Sequence, residues 1–418
     1  MLQLEPVSSV REVLKNPNYR LYFLGQFISL SGTWAQSVAV SWLVFRLTGS
    51  SYSVGLIAFA TQIPAFLLSP FAGVLADRLE RRRIFVFVQW AGMIQAILLA
   101  ALVFAGIDKL WVILLLSVAL GCVNSFEITT RQSLAVDIVD REHLQGAIAL
   151  NSALMNVTRV LGPAMAGVMI QAVGEKWCFV FNAISYVAIM FSLYRMEFRP
   201  QTTFAKSQAF WNSIGDAFRY LADRPRMNRI LVTACAQSAI SACYAVLLPV
   251  FSRRVLSGSA DVFAWLTSVG AMGAVLGALS IGRRAAVSTI RKDVLTGFIW
   301  IGLTLVAFAT SKWLPLSLAC ALIFGFHTIR AWPLMNHAIQ QDVDDVMRGR
   351  VMGLFNMTFL GTTPLTSLCV GWISDRFGAR PTLLSVGISV AFTGVTLLWF
   401  GRTRQPQAEF SRAAGQST

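Results

Sequence analysis

Hydrophobic residues gather in twelve long runs, each closed by charge, glycine or proline. Six cover residues 19–45, 53–76, 84–105, 110–130, 145–173 and 177–194. A polar stretch, 195–227, separates them from six more at 228–251, 262–282, 294–311, 313–338, 350–373 and 381–400. Each run is close to the length of about 20 residues that crosses a bilayer as a helix. In lipid only helices and closed barrels satisfy their own backbone groups, and runs this long predict helices. The expected fold is therefore an all-α membrane protein with twelve transmembrane helices in two six-helix halves, 1–194 and 228–401. A cytoplasmic linker, 195–227, joins them, and a tail, 402–418, follows. Within the linker Phe210, Ile214, Phe218 and Leu221 recur at helical spacing opposite Asn212, Asp216 and Arg219. That pattern predicts an amphipathic helix on the cytoplasmic membrane face, tethering the halves while letting them rock.

Composition agrees with the runs. The chain of 418 residues is 56% hydrophobic and only 13% charged, with a mean hydropathy of +0.62, which excludes a soluble globular fold. Its net charge of +15 would suggest nucleic acid in a soluble protein. Placing the N-terminus in the cytoplasm and alternating sides sorts the charge differently, with 25 of the 35 basic residues inside, 8 outside, and Arg159 and Arg330 within spans. This split obeys the positive-inside rule, so a multi-pass protein of the plasma membrane with both termini cytoplasmic is expected, and no nucleic-acid partner is needed. The first 18 residues lack a cleavable signal pattern, leaving the first span as the targeting signal. Six cysteines, Cys122, Cys178, Cys235, Cys243, Cys320 and Cys369, stand singly in apolar stretches and predict packing roles, with no metal or other cofactor.

The two sets of six resemble each other. At one offset of 204 residues Gly73 matches Gly277, Gly121 matches Gly325, Gly167 matches Gly371 and Gly174 matches Gly378; near the first spans the offset is 208, as Pro17 and Pro225 show. Duplicated halves place a substrate site between them near the midplane.

After the second run stands GVLADRLERRR, with Gly73, Asp77, Arg78, Arg81 and Arg82. It resembles motif A of the major facilitator superfamily, which implies close helix approach at the small residue and a cytoplasmic latch built from the Asp and the following arginines. Glu80 stands where that family often has a second glycine, and in the second half Ile281 replaces the Asp, so the latch is expected on one side only. The plainer alternative is a positive-inside anchor. The fifth run carries VLGPAMAG, with Gly162, Pro163 and Gly167, similar to the superfamily's motif C, which implies an antiporter or exporter. Thr158 and Ala166 replace glycines of the fuller pattern; a Pro kink with small packing residues is compatible with either reading. Together with LTGS at 47–50, the segments QFISLSG at 26–32, FEITTRQ at 126–132 and NSALMN at 151–156 resemble the branch containing the enterobactin exporter and macrolide efflux proteins. The resemblance implies export of chemically diverse cargo.

Ionisable groups in lipid are costly and point to function. Glu127 is the one acidic residue inside a run, about 25 Å along its helix, and Arg131 lies one turn on. By analogy with related transporters, Asp77, Arg81, Glu127 and Arg131 would form a gate network; a proton site at Glu127 is the alternative. Arg159 and Arg330 lie deep in their runs without acidic partners at that depth, which predicts an electropositive cavity suited to a carboxylate, phosphate or catecholate. Bonding to backbone carbonyls, or to the Glu127 network, is the competing explanation. His327, three residues before Arg330, is a candidate proton carrier or a structural histidine. Gln26, Ser29, Thr33 and Gln36, then Asn156, then Gln237, Ser241 and Tyr244, and finally Asn356 and Thr363 are expected to line the cavity; hydrogen bonding between helices is the alternative for each.

The sequence thus predicts a monomeric exporter of small organic molecules, driven by proton antiport and working by alternating access. Uptake or lipid flipping by the same fold are the rivals. A membrane-embedded enzyme is disfavoured, because the chain lacks a metal-binding His motif, a nucleophile elbow and a phosphate loop.

Overall fold

The protein is described by a computed structural model that covers residues 12–78, 80–140, 143–196, 210–281 and 287–403. Among these residues thirteen α-helices and no strand are present. Six long helices come first: α1 Pro17–Thr48, α2 Ser51–Arg78, α3 Arg81–Phe104, α4 Leu110–Asp137, α5 Leu144–Val173 and α6 Lys176–Arg195. The short α7, Phe210–Ala222, follows. Six more complete the chain: α8 Pro225–Val250, α9 Ala260–Ile281, α10 Val287–Thr310, α11 Leu314–Asp342, α12 Asp345–Phe377 and α13 Ala379–Thr403. Each long helix extends beyond or close to the apolar run that predicted it, because helical hydrogen bonding continues where polarity returns.

Ten of these helices are long and apolar enough to cross a membrane. The other two long ones, α1 with 32 residues and α12 with 33, are longer still but carry more polar residues. Large apolar side chains, among them Phe87, Trp111, Val168 and Trp399, are exposed around the bundle. Water would penalise such a surface; a bilayer covers it.

Local signals set the helix ends. Asn16 caps α1 through its side-chain oxygen, which accepts from the N–H groups of Asn18 and Tyr19, and Pro17 occupies the first turn. Gly49 ends that helix at φ +61°, a left-handed conformation that glycine adopts without steric cost. The offset glycines Gly174 and Gly378 end α5 and α12, both at φ +94°.

Helix packing repeats along the chain. α4 lies on α2 as α11 lies on α9, α6 on α3 as α13 on α10, and α5 on α1 as α12 on α8. Gly121 of α4 meets α2 at the Thr61 carbonyl and its partner Gly325 of α11 meets α9 at the Gly270 carbonyl, each too closely for a Cβ. Between the first and second sets the main contacts are α2 with α12 and α5 with α9. Here too the offset glycines mark the close approaches, Gly167 against Ala264 of α9 and Gly371 against Ser51 of α2. The repetition is imperfect, since α1 packs extensively along α6 whereas α8 touches α13 lightly.

Buried apolar residues form two clusters. The larger joins both sets of helices at the end of the bundle where α1 turns into α2, and continues through α8 to α13; the smaller, with Tyr19, Tyr22, Phe85, Leu134 and Tyr186, stays within α1 to α6. The linker helix α7 buries Ala217 and Leu221 and exposes Phe218 at 59%. Phe210, Asn212 and Ile214 have side chains outside the described residues. Tyr220 and Arg224 bind Asp344 at the start of α12, and Arg350 pairs with Asp216 at 2.8 Å, so the end of α7 is tied to the start of α12.

Candidate transport and gating sites

Gly73, Asp77 and Arg78 fall on the last turns of α2, and their side chains lie outside the described residues. Arg81 and Arg82 open α3, where Arg82 donates to the Leu193 carbonyl at 3.0 Å, tying the start of α3 to the end of α6. Arg83 pairs with Glu80 at 2.6 Å on the surface. An apolar groove of about 480 Å³ opens beside them on the outer face of α2, α3 and α4, lined by Leu75, Ile84, Phe87 and Phe126. It contains none of the expected cavity residues.

Glu127 and Arg131 are joined as their spacing predicts. Arg131 Nε faces Glu127 Oε1 at 3.3 Å, with side chains 5% and 17% exposed respectively. A nitrogen of the same guanidinium lies 2.7 Å from Met155 Sδ of α5, and Tyr22 of α1 donates to the Arg131 carbonyl at 3.4 Å. Three helices therefore converge on one largely dehydrated ion pair.

In α5, Gly162 abuts the Trp34 side chain and the Ser31 carbonyl, and Pro163 is buried beside it. This close approach brings Arg159 over the Trp34 indole, 5.0 Å from the ring centroid. An aromatic face thus answers this charge, and among the described residues no carboxylate pairs with it. Asn156, one turn earlier, donates to the Ser152 carbonyl of its own helix at 2.9 Å.

The expected cavity residues of α1 and α8 have different fates. Asn182 donates to Gln36 Oε1 at 2.8 Å, Gln36 donates to Gln95 Oε1 at 3.1 Å, and Gln95 donates to the Leu116 carbonyl at 3.2 Å. Gln36 is thereby a buried link between α1, α3 and α6, the interhelical alternative rather than the cavity one. Ser29 is buried, and its carbonyl accepts from Thr33 at 3.1 Å. Gln26 is also buried, with its amide nitrogen unpaired.

At the offset of 208, Tyr244 occupies the place of Gln36 and Gln237 that of Ser29. Tyr244 stacks on Phe324 at 4.2 Å and meets Phe308 at 5.6 Å, yet its hydroxyl has no partner among the described residues. Both amide atoms of Gln237 are likewise buried and unpaired, as are Ser268 Oγ, Thr328 Oγ1 and Arg330 Nε. Buried polar groups are nearly always bonded, and six of these unpaired atoms fall on α8, α9 and α11. Arg330 lies over Phe326 at 5.4 Å, and His327 is between Trp300 and Phe326. Ser241 and Thr363 bond carbonyls of their own helices, and Asn356 is exposed.

One feature escaped the sequence reading. At the α1–α2 end, Asp375 accepts from Ser50 Oγ at 2.5 Å and from the N–H groups of Ser51 and Tyr52 at 2.7 and 3.0 Å. Arg254 donates to the Gly49 carbonyl at 2.5 Å. The available signal was Gly371-x3-Asp375-Arg376, the spacing of Gly73-x3-Asp77-Arg78.

The transmembrane secretion effector family matches residues 9–414. The staphyloferrin A transporter of Staphylococcus aureus (strain NCTC 8325 / PS 47) is 22% identical over 94% of this chain and 98% of its own length. The multidrug efflux pump Tap of Mycolicibacterium fortuitum is 25% identical over 88% and 92%. The enterobactin exporter EntS of Shigella boydii serotype 18 is 24% identical over 92% and 91%. Among solved structures, a bacterial homologue of the iron transporter ferroportin, in an inward-facing state, superposes with a TM-score of 0.69 at 16% identity, covering 90% of this chain and 97% of that one.

Proposed function

The chain belongs to the transmembrane secretion effector family of major facilitator transporters, and on that premise we propose that it exports small organic molecules by alternating access coupled to proton antiport. It is a multi-pass membrane transporter of small molecules, not an enzyme. Siderophore and multidrug transporters among its relatives support the outward direction. In this proposal α1 to α6 and α8 to α13 are two six-span halves in the plasma membrane of a monomer, with both termini cytoplasmic. The recurring helix contacts support the halves, and the 25 to 8 split of basic residues supports the orientation.

The observation that carries the proposal is the set of buried, unpaired polar atoms on α8, α9 and α11. A resting bundle gains nothing from them. Bound cargo would complete their hydrogen bonds, with Gln237 and Tyr244 as recognition groups and Arg330, together with Arg159 on α5, favouring an anionic or catecholate cargo. Glu127 and Arg131, with Asp77 and Arg81, constitute the proposed cytoplasmic gate. His327 is the candidate proton carrier.

Secretion tests the direction. Cells overproducing the protein should release more of a catecholate or citrate-type chelator, and survive higher doses of a toxic aromatic anion, than cells without it. Faster accumulation inside the producing cells would identify uptake instead, and movement restricted to labelled phospholipid would identify a flippase.

A further inference from the structure

We propose that Asp375, assisted by Arg254, is a gating latch for the extracellular mouth, a second use of the Gly-x3-Asp-Arg arrangement whose first copy ends α2. The inference rests on the alternating-access reading above, because only a mouth that opens needs a latch.

The first turn of a helix leaves N–H groups without intrahelical partners and carries partial positive charge. At the start of α2, Ser50 Oγ accepts from the Ser53 N–H at 3.1 Å, while the Asp375 carboxylate takes the N–H groups of Ser51 and Tyr52 and the Ser50 hydroxyl. Thus the capping of α2 is completed by a side chain from the end of α12, more than 300 residues away. Ser374 adds a bond to Ser51 Oγ at 3.0 Å. Opposite charge serves the other side of the turn, where Arg254 donates to the Gly49 carbonyl at the end of α1 and lies over the Phe45 ring at 5.7 Å. The second set of helices therefore offers an anion to the start of α2 and a cation to the end of α1, matching both helix dipoles.

Two glycines make the approach possible. Gly371 sits against the Ser51 carbonyl and Gly55 against the Ser367 carbonyl, and neither position has room for a Cβ. Below the polar contacts Trp42 stacks on Phe263 at 6.2 Å. Apart from the Ser50–Ser53 bond, these contacts cross between the two sets of helices, so rocking the halves apart at this end has to break them.

α2 and α12 run antiparallel side by side, so each copy ends its helix beside the start of the other. The latch at Asp375 holds the extracellular end shut; its release is the step that lets cargo leave.

Spin-label distances across the mouth test this on the full chain in nanodiscs, with labels at Leu47→Cys and Lys312→Cys in a background whose native cysteines are replaced and whose folding is checked by monodispersity. Asp375→Ala and Arg254→Ala should each raise the ratio of long to short distances, by about tenfold for Asp375→Ala, the worth of one charge-assisted hydrogen bond. A loss confined to yield or melting temperature, with unchanged distance distributions in both variants, would overturn the latch. Since the distances need no cargo, a shift without detectable export leaves the latch standing and removes the export reading. Export with no shift does the reverse.

Discussion

Asn182 of α6 donates its side-chain amide to Gln36 of α1 at 2.8 Å, and at this position the first and second sets of helices differ. The residue at the equivalent offset, Tyr244, offers a hydroxyl that has no partner among the described residues. One position serves packing; in the proposed reading the other serves a ligand.

Replacing each residue should expose the difference. Gln36→Leu strands Asn182 and Gln95, and each buried polar group left unbonded costs about 1–3 kcal/mol, so a clear drop in melting temperature in detergent is expected. Tyr244→Phe removes a group with no partner and should leave melting unchanged while weakening cargo binding. Equal stability losses in the two variants would show that Tyr244 is structural.

Glu127→Gln should leave Arg131 with a buried, uncompensated charge. Breaking one side of a buried pair is costly, about 3–5 kcal/mol, but here a membrane-spanning helix keeps its backbone bonds, so folding should survive with lower yield. Gradient-driven turnover should fall at least tenfold. Normal turnover with normal expression would exclude the pair from the gate.

Arg159 is held by the Trp34 face, a contact worth about 2 kcal/mol when desolvated. Arg159→Ala should abolish selectivity for anions, and Trp34→Leu should reproduce part of that loss by misplacing the guanidinium. Competition between an anionic and a cationic dye of similar size reads the effect; unchanged preference in both variants would refute an electropositive cavity.

The linker contact carries a pH prediction. The Tyr220 hydroxyl donates to Asp344, and the Arg224 charge adds to it, so the carboxyl is held below its ordinary value. A depressed folded-state value means that the contact is fully present above the ordinary carboxylate range and is lost only as pH falls through the lower, folded value. Anisotropy of a fluorophore at Phe218→Cys should therefore stay flat from about pH 8 to pH 5, whereas Asp344→Asn should lower it throughout. A wild-type transition near pH 6 would contradict this account of the linker.

Much of the fold was legible because lipid imposes one simple rule, that a long apolar run must be a helix. The runs placed all twelve long helices, and the offset glycines reappeared at equivalent contacts, as Gly121 and Gly325 show. α1 and α12 show the limit of the rule, since their spacing of apolar residues is diluted by the polar positions that packing and capping require. The pair Glu127 and Arg131 was readable because both sit on one helix, one turn apart. Gln36 was not, because whether a buried amide faces a cavity or Asn182 depends on a helix 146 positions away. Asp375 was missed for the same reason: a carboxylate just past a span reads as solvated until the start of α2 is seen against it.

The central claim is proton-driven export, and everted membrane vesicles test it most directly. With the lumen acidified, a labelled catecholate or citrate-type anion should accumulate inside, the accumulation should collapse on adding a protonophore, and vesicles lacking the protein should show none. Accumulation that ignores the pH gradient, or cargo that leaves the vesicles as the gradient is applied, would contradict the account.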